Sequence, residues 1–347
     1  MSLVLPFPDW PVHDRAMWLD LQKPAGPLDD RGALAHLRAT SRETLERHYG
    51  RWLRWLETAD PDAFALPPAE RVTLERLSAW LHDLAHTKPM SRLMFVDGVL
   101  RVLSAAHPGK DWSAQRKLKA GLKRMAGRGD RDRKMGRILS SGVLLQAGIE
   151  LATKHADAAS TPLEEMTRLR DGTMIAMLAV MPMRRRAFAG LQLGVSLFVT
   201  AETISVALPE DLTKSGQPWE ADVPDVGAPL LRSYIGDARP ALMERGHHQH
   251  DFLWVGKKGA PLGMEYLSAR IAEQTQKMTG VHVPAHFFRD AAATTLARRS
   301  SQSARLIRPV LAHSSFGTAE RHYIHAQTIE AGRDYAALIS KMKEKVR

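Results

Sequence analysis

His286 and Arg289 stand three residues apart in VPAHFFRDAAATTLA, His313 follows in LAHSSFG, and Tyr323 lies ten residues beyond it in AERHYIHA. Cations, proton carriers and a phenol are the usual tools of phosphate chemistry. A phosphodiester under attack gathers negative charge on its nonbridging oxygens, and a permanently charged guanidinium fork suits that charge. A phenol is a weak nucleophile at neutral pH, with an ordinary pKa of about 10. Nearby cations favour its phenolate, and a histidine can accept its proton.

Two further stretches carry cations at structured positions. MPMRRRAFAGLQLG (181–194) places Arg184, Arg185 and Arg186 at the end of an apolar helix, and LTKSGQPWEADVP turns around Lys214, Ser215 and Gly216. On the helix predicted for HFFR, residues three apart share a face, so His286 and Arg289 are neighbours. Each feature alone has an ordinary reading: a cationic helix end, a solvated hairpin tip, a surface pair, a satisfied histidine and a core tyrosine. Their order along one chain is harder to explain that way.

The elements that must position them fall into two halves. At 347 residues, two domains are the natural expectation. The first half reads as a helical bundle: T40-S-R-E43 predicts a capping box ahead of LERHYGRWLRWLE. PPAERVTLERLSAWLHDLA sets Leu74, Leu77, Leu81 and Leu84 at helical spacing. MSRLMFVDGVLRVLSAA and SAQRKLKAGLKRMAG predict two more helices around the breaker HPGKD. A run dense in cations, RKLKAGLKRMAGRGDRDRKMGR, then ends in a glycine-rich charged segment that reads as a linker. Beyond it SSGVLLQAGIELATKHA and TRLRDGTMIAMLAVM predict helices, VSLFVTAETISVALPE predicts strands, and helices resume to the end. The apolar run GTMIAMLAVMPM (172–183) is too short to span a bilayer and predicts a buried helix.

Composition narrows the class. A hydrophobic content of 44% with 25% charged residues describes ordinary globular cores, and the net charge of +11 favours a polyanionic partner. No cysteine is present, which removes disulfides and thiolate metal sites. MSLVLPFPDWPVHDR lacks the pattern of a signal peptide, and no membrane segment is expected, so the expected localisation is cytoplasmic. HHQH (247–250) lacks supporting ligand spacing and reads as a polar loop. PGK (108–110) lacks the first glycine and the Ser/Thr of a phosphate-binding loop.

The ordered set of arginine, strand-turn lysine, HxxR, histidine and tyrosine resembles the catalytic signature of the tyrosine recombinases, also called the phage integrase family. The resemblance spans roughly residues 130–330 with specific motifs, and the first half is similar to that family's core-binding domain with weaker ones. It implies a mainly α fold with a small antiparallel β-sheet. An N-terminal helical core-binding (SAM-like) domain would cover 1–127, a basic linker 128–136, and an α+β catalytic domain with a C-terminal helix 137–347.

Carried over by motif, the catalytic residues are Arg184, Lys214, His286, Arg289, His313 and Tyr323. Leu191, seven after Arg184, sets the register that selects it over Arg185 and Arg186. Ala187 stands where many relatives carry an acid, and Asp290 is an alternative supporting carboxylate. The implied roles are Tyr323 as nucleophile, Lys214 as donor to the departing 5′-oxygen, His286 in proton transfer at the tyrosine, and His313 on the phosphate. The scheme needs no metal, cofactor or ATP.

The implied partner is double-stranded DNA, closed in a clamp by the two domains, with a homotetramer on paired sites and a monomer free in solution. Little room precedes the helical bundle for an arm-binding domain, which suggests a simple recombinase or mobile-element integrase. Two alternatives stay open: a type IB topoisomerase, though those usually carry lysine where His286 stands, and a non-catalytic DNA-binding protein on the same fold. Tyr335, Leu338, Ile339 and Met342 form a stripe on a terminal helix that would pack in cis or on a neighbouring protomer.

Overall fold

The computed structural model describes residues 2–26, 30–127, 136–210, 212–213 and 218–311, the side chains of 301 and 308 set aside. By its contacts the chain divides into two compact units, Met1–Arg131 and Asp132–Arg347.

Among its described residues the first unit contains helices and no strand: α1 (Val12–Leu21), α2 (Ala39–Ala59), α3 (Pro61–Phe64), α4 (Leu74–Asp83), α5 (Pro89–Ala106) and α6 (Ser113–Ala126), after a short 3-10 turn (Phe7–Asp9). On α2, Leu45, Tyr49, Trp52, Leu53 and Leu56 recur at helical spacing and are all buried. They meet Trp10, Trp18, Trp80, Val96, Val99 and Leu103 in one core. Burying a large apolar side chain stabilises by about 1.5–3 kcal/mol before ordering costs, so this cluster is the main favourable contribution to the bundle.

Two local expectations change. Helix α2 begins at Ala39, so Thr40 lies inside the first turn instead of capping it, and its carbonyl accepts the Thr44 hydroxyl at 2.8 Å. The real side-chain cap in this unit's α4 is Thr73, which accepts from the Arg76 nitrogen at 3.3 Å. Leu74 at the helix start is 44% exposed, while Trp80 is fully buried. The leucine spacing therefore marks the helix but not every member of its core face.

The second unit opens with α7 (Ser141–Ala152), α8 (Lys154–Asp157), α9 (Pro162–Val180) and α10 (Arg185–Ala189). A three-stranded sheet follows, β1 (Leu197–Val199), β2 (Ile204–Leu208) and β3 (Trp219–Asp222), in the order β1-β2-β3 and antiparallel throughout. Leu197 pairs with Val206 and Ser205 with Asp222. Alternation on β2 buries Ile204, Val206 and Leu208 against the core. Then come α11 (Ala228–Ser233), a π-helical turn (Tyr234–Ala238), α12 (Arg239–Arg245), α13 (Met264–Thr279), α14 (Phe287–Arg299), α15 (Ser301–Ala304) and α16 (Ile307–Leu311).

Helix α9 is the apolar helix expected from the sequence, and it runs through the core with Met174 to Leu178 fully buried. It packs on α7 at glycine: a Cβ on Gly148 would lie 2.5 Å from the Ala176 nitrogen, and one on Gly172 2.4 Å from the Ala152 nitrogen. Any larger residue would force the two helices apart. No helix among the described residues is long and apolar enough to cross a membrane.

Candidate functional site

The site begins where α9 stops. Pro182 disfavours a helical conformation at the residue before it, and Met181 adopts φ −126°, ψ 81°. The chain therefore leaves the helix with the Pro182 carbonyl outside any helical ladder. Arg289, three residues into α14, donates to that carbonyl from Nη1 at 2.8 Å and from Nη2 to the carbonyl of Leu311 at the end of α16. Three chain segments are thus gathered around one guanidinium.

Arg184 stands at the N-cap of α10 in extended backbone, and its carbonyl accepts from the Phe188 nitrogen at 2.9 Å. It lines a cavity together with Arg289, Thr213 and Leu311. That cavity encloses about 30 Å³, room for one water-sized atom group. It can admit one oxygen of a larger anion whose remainder stays outside. Burial, followed by the charge of Arg184, lowers the pKa of Arg289 to about 10, with Asp290 pulling weakly the other way. Burial also lowers that of Arg184. Two guanidiniums held in a poorly solvated corner gain most from an anion, because its charge offsets both the desolvation and their mutual repulsion.

The three adjacent arginines take different places. Arg185 pairs with Glu265 of α13 at 2.9 Å, and Arg186 is exposed. Only Arg184 of the three lines the cavity with Arg289. Ala187 is buried in the cavity wall, so its position contributes a methyl group there. His286 occupies the N-cap of α14, one residue before the helix, and is exposed while Arg289 is half-buried. It lies outside the cavity lining, with its ring edge-to-face on Phe287 at 4.6 Å between centroids.

Lys214, His313 and Tyr323 lie outside the described residues, as do the 128–135 stretch and the Tyr335, Leu338, Ile339 and Met342 stripe. Thr213, directly before Lys214, and Leu311, two residues before His313, both line the cavity. Thr213 is held there by a turn after β2, with its hydroxyl donating to the Glu210 carbonyl at 3.1 Å.

Sequence reasoning did not find what backs the site. Trp254 donates from Nε1 to the Phe188 carbonyl of α10 at 2.9 Å and stacks on Tyr234 at 5.3 Å. The carbonyls of Pro182 and Leu311 carry no signal in a sequence, because every residue has one. Of the HHQH segment, His247 and His248 are exposed, and His250 Nε2 meets the Gly259 carbonyl at 3.0 Å. Among the described residues no group of three or more metal-ligating side chains is assembled. In the first unit α6 exposes Arg116, Lys117, Lys123 and Arg124, while Lys119 pairs with Asp97 at 3.1 Å.

No family model matches the chain. Over 108 residues it is 28% identical to the tyrosine recombinase XerC of Lacticaseibacillus casei (strain BL23) and, to the same extent, to that of Lacticaseibacillus paracasei. The match covers 30% of this chain and 35% of either relative, about a third of the length of each. In fold the chain is similar to the XerH site-specific recombinase bound to its difH substrate, with a TM-score of 0.56 and 14% identity over 84% of this chain and 79% of the other. It is also similar to a lambda integrase dimer bound to a core site, with a TM-score of 0.50 and 12% identity over 84% and 90%. In one segment of its sequence the chain is similar to tyrosine recombinases, and in fold it is similar to XerH and lambda integrase.

Proposed function

We propose that the protein is a site-specific DNA recombinase that cleaves and rejoins duplex DNA through a 3′-phosphotyrosine intermediate. The observation that carries this reading is the cavity shared by Arg184 and Arg289, two arginines far apart in sequence that a scissile phosphate would join. The structures named above support it, since one is described bound to its difH substrate and the other bound to a core site.

In the proposed reaction the Tyr323 oxygen attacks the phosphorus and loses its proton with the help of His286. The bond from phosphorus to the 5′-oxygen breaks, and Lys214 gives that oxygen a proton. Arg184, Arg289 and His313 hold the nonbridging oxygens as charge builds. Attack of a free 5′-hydroxyl on the phosphotyrosine reverses these steps, so the phosphodiester energy is kept and no ATP is consumed.

Two of the described tyrosines are poorly suited to act as the nucleophile. Tyr49 and Tyr234 are fully buried, and burial raises the pKa of both phenols, which suits neither to act as a phenolate. Tyr266 sits on α13, 49% exposed. The exposed cations of α6 fit a phosphate backbone, and binding would weaken steeply with salt. The domain limits 1–127, 128–136 and 137–347, and a tetramer on paired sites, belong to the same proposal.

The test is an SDS-resistant adduct assay with nicked duplexes tiled across the attachment regions of the host element. Wild type is expected to form a 3′-linked adduct in EDTA without ATP, and Tyr323→Phe none. An adduct that survives in Tyr323→Phe would move the nucleophile elsewhere. DNA binding without any adduct would favour a binding protein on this fold.

A further inference from the structure

A histidine that moves a proton needs a fixed direction, and His286 stands on an exposed loop end. The loop before it is gripped from two sides. From α13, Thr275 Oγ1 donates to the Val283 carbonyl at 3.2 Å and accepts from the Val283 nitrogen at 3.0 Å. From the other side comes Arg137, on the stretch that leads into α7. Its Nε and Nη2 both donate to the His282 carbonyl, at 3.3 and 2.9 Å, and Nη2 also reaches His282 Nδ1 at 2.9 Å. Because arginine only donates, that nitrogen must accept, which places the His282 proton on Nε2. The same guanidinium lies 5.0 Å from the centroid of Phe287, the buried ring against which His286 rests edge-to-face.

We propose that Arg137 is a positioning residue for His286, acting through the His282 carbonyl and the Phe287 ring. The proposal rests on the recombinase reading of His286. The fork fixes the backbone four residues before His286, and the cation over Phe287 fixes the ring that sets the imidazole's plane. Lysine cannot reproduce the fork. A second tie strengthens the link: the Ser141 nitrogen donates to Thr295 Oγ1 of α14 at 2.9 Å. The stretch that leads into α7, together with the first residue of α7, therefore holds the HxxR helix at its start and along its length. Surface contacts of this kind add little to global stability, so their effect falls on the direction of the imidazole.

The experiment compares Arg137→Met, Arg137→Lys, His286→Ala and the Arg137→Met/His286→Ala double variant in single-turnover cleavage of a nicked duplex. Arg137→Met is expected to slow cleavage on the order of tenfold, within what a proton-transfer residue contributes, with DNA binding and melting temperature little changed. Arg137→Lys should recover part of the loss. The double variant should cleave no more slowly than His286→Ala alone, because both changes remove one function. Losses that add in the double variant, or full cleavage by Arg137→Met, overturn the proposal.

A readout free of turnover separates this outcome from failure of the recombinase reading. The His286 ring protons should show a ring-current shift from Phe287 that Arg137→Met relaxes. If wild type forms no adduct, the recombinase reading fails while that relaxed shift still supports the positioning. An unchanged His286 resonance overturns the positioning whatever the cleavage result.

Discussion

In the helical unit the buried Arg71 faces a carboxylate, whereas in the second unit Arg289 faces another arginine. Arg71 Nη1 reaches both oxygens of Asp14, at 3.0 and 2.9 Å, and the Tyr49 hydroxyl donates to the same carboxylate at 2.6 Å. The second unit has its own example of that arrangement, with Arg170 and Arg270 sharing the buried Asp171. Arg289 instead donates to the carbonyls of Pro182 and Leu311, and Arg184 adds like charge beside it. A buried cation with a carboxylate is complete once the chain folds, and it serves the fold. A cation held by carbonyls next to a second cation has more to gain from an anion, and that is what the proposed phosphate site requires.

The comparison can be broken in order of expected effect. Arg71→Met leaves Asp14 buried and uncompensated, which should cost about 3–5 kcal/mol and appear as a large fall in the melting temperature of the first unit. Next comes Arg289→Ala, expected to slow single-turnover cleavage about 10²–10³-fold with a smaller change in melting temperature. A reversal, with Arg289→Ala unfolding the protein and Arg71→Met not, would erase the distinction.

Anion binding sharpens it. Vanadate or phosphate should raise the melting temperature of wild type and not of Arg289→Ala. An anion favours the charged form of Arg289, whose pKa is lowered to about 10. The stabilisation should therefore be complete at neutral pH and fade as pH rises through about 10. An effect that grew above that pH would contradict the site.

Smaller effects test the local corrections. Thr73→Ala removes the cap on the Arg76 nitrogen and should cost about 1 kcal/mol, read by denaturant midpoint, with cleavage per folded molecule unchanged. Arg185→Ala breaks only the exposed pair with Glu265 and should change stability by about 0–1 kcal/mol. Cleavage by Arg185→Ala as slow as that expected of Arg289→Ala would mean that the arginine register is wrong.

Much of this architecture was readable before the coordinates, because its causes are local. Helical spacing set out α2, α5 and α6, and the alternation of Ile204, Val206 and Leu208 marked a half-buried strand. The apolar run 172–183 marked α9, which stops at Val180, just before Pro182. Spacing misplaced what depends on neighbours elsewhere: Leu74 has helical periodicity, yet Trp80 took the core position. Thr40 sits in a capping pattern, yet α2 starts one residue before it.

For the candidate site, the sequence by itself determined the residue types and their short spacings: His286 to Arg289, three arginines in a row, a lysine in a strand turn. These follow from chain order and helix or strand geometry over a few residues. The resemblance selected Arg184 by its register to Leu191, and the tertiary structure lines the cavity beside Arg289 with Arg184 while Arg185 pairs with Glu265. Only the tertiary structure chose the two backbone carbonyls that hold Arg289, and brought Arg137 onto Phe287. Such contacts join segments far apart along the chain. Their partners are selected by how helices and strands pack around a shared core, and no local pattern records that choice.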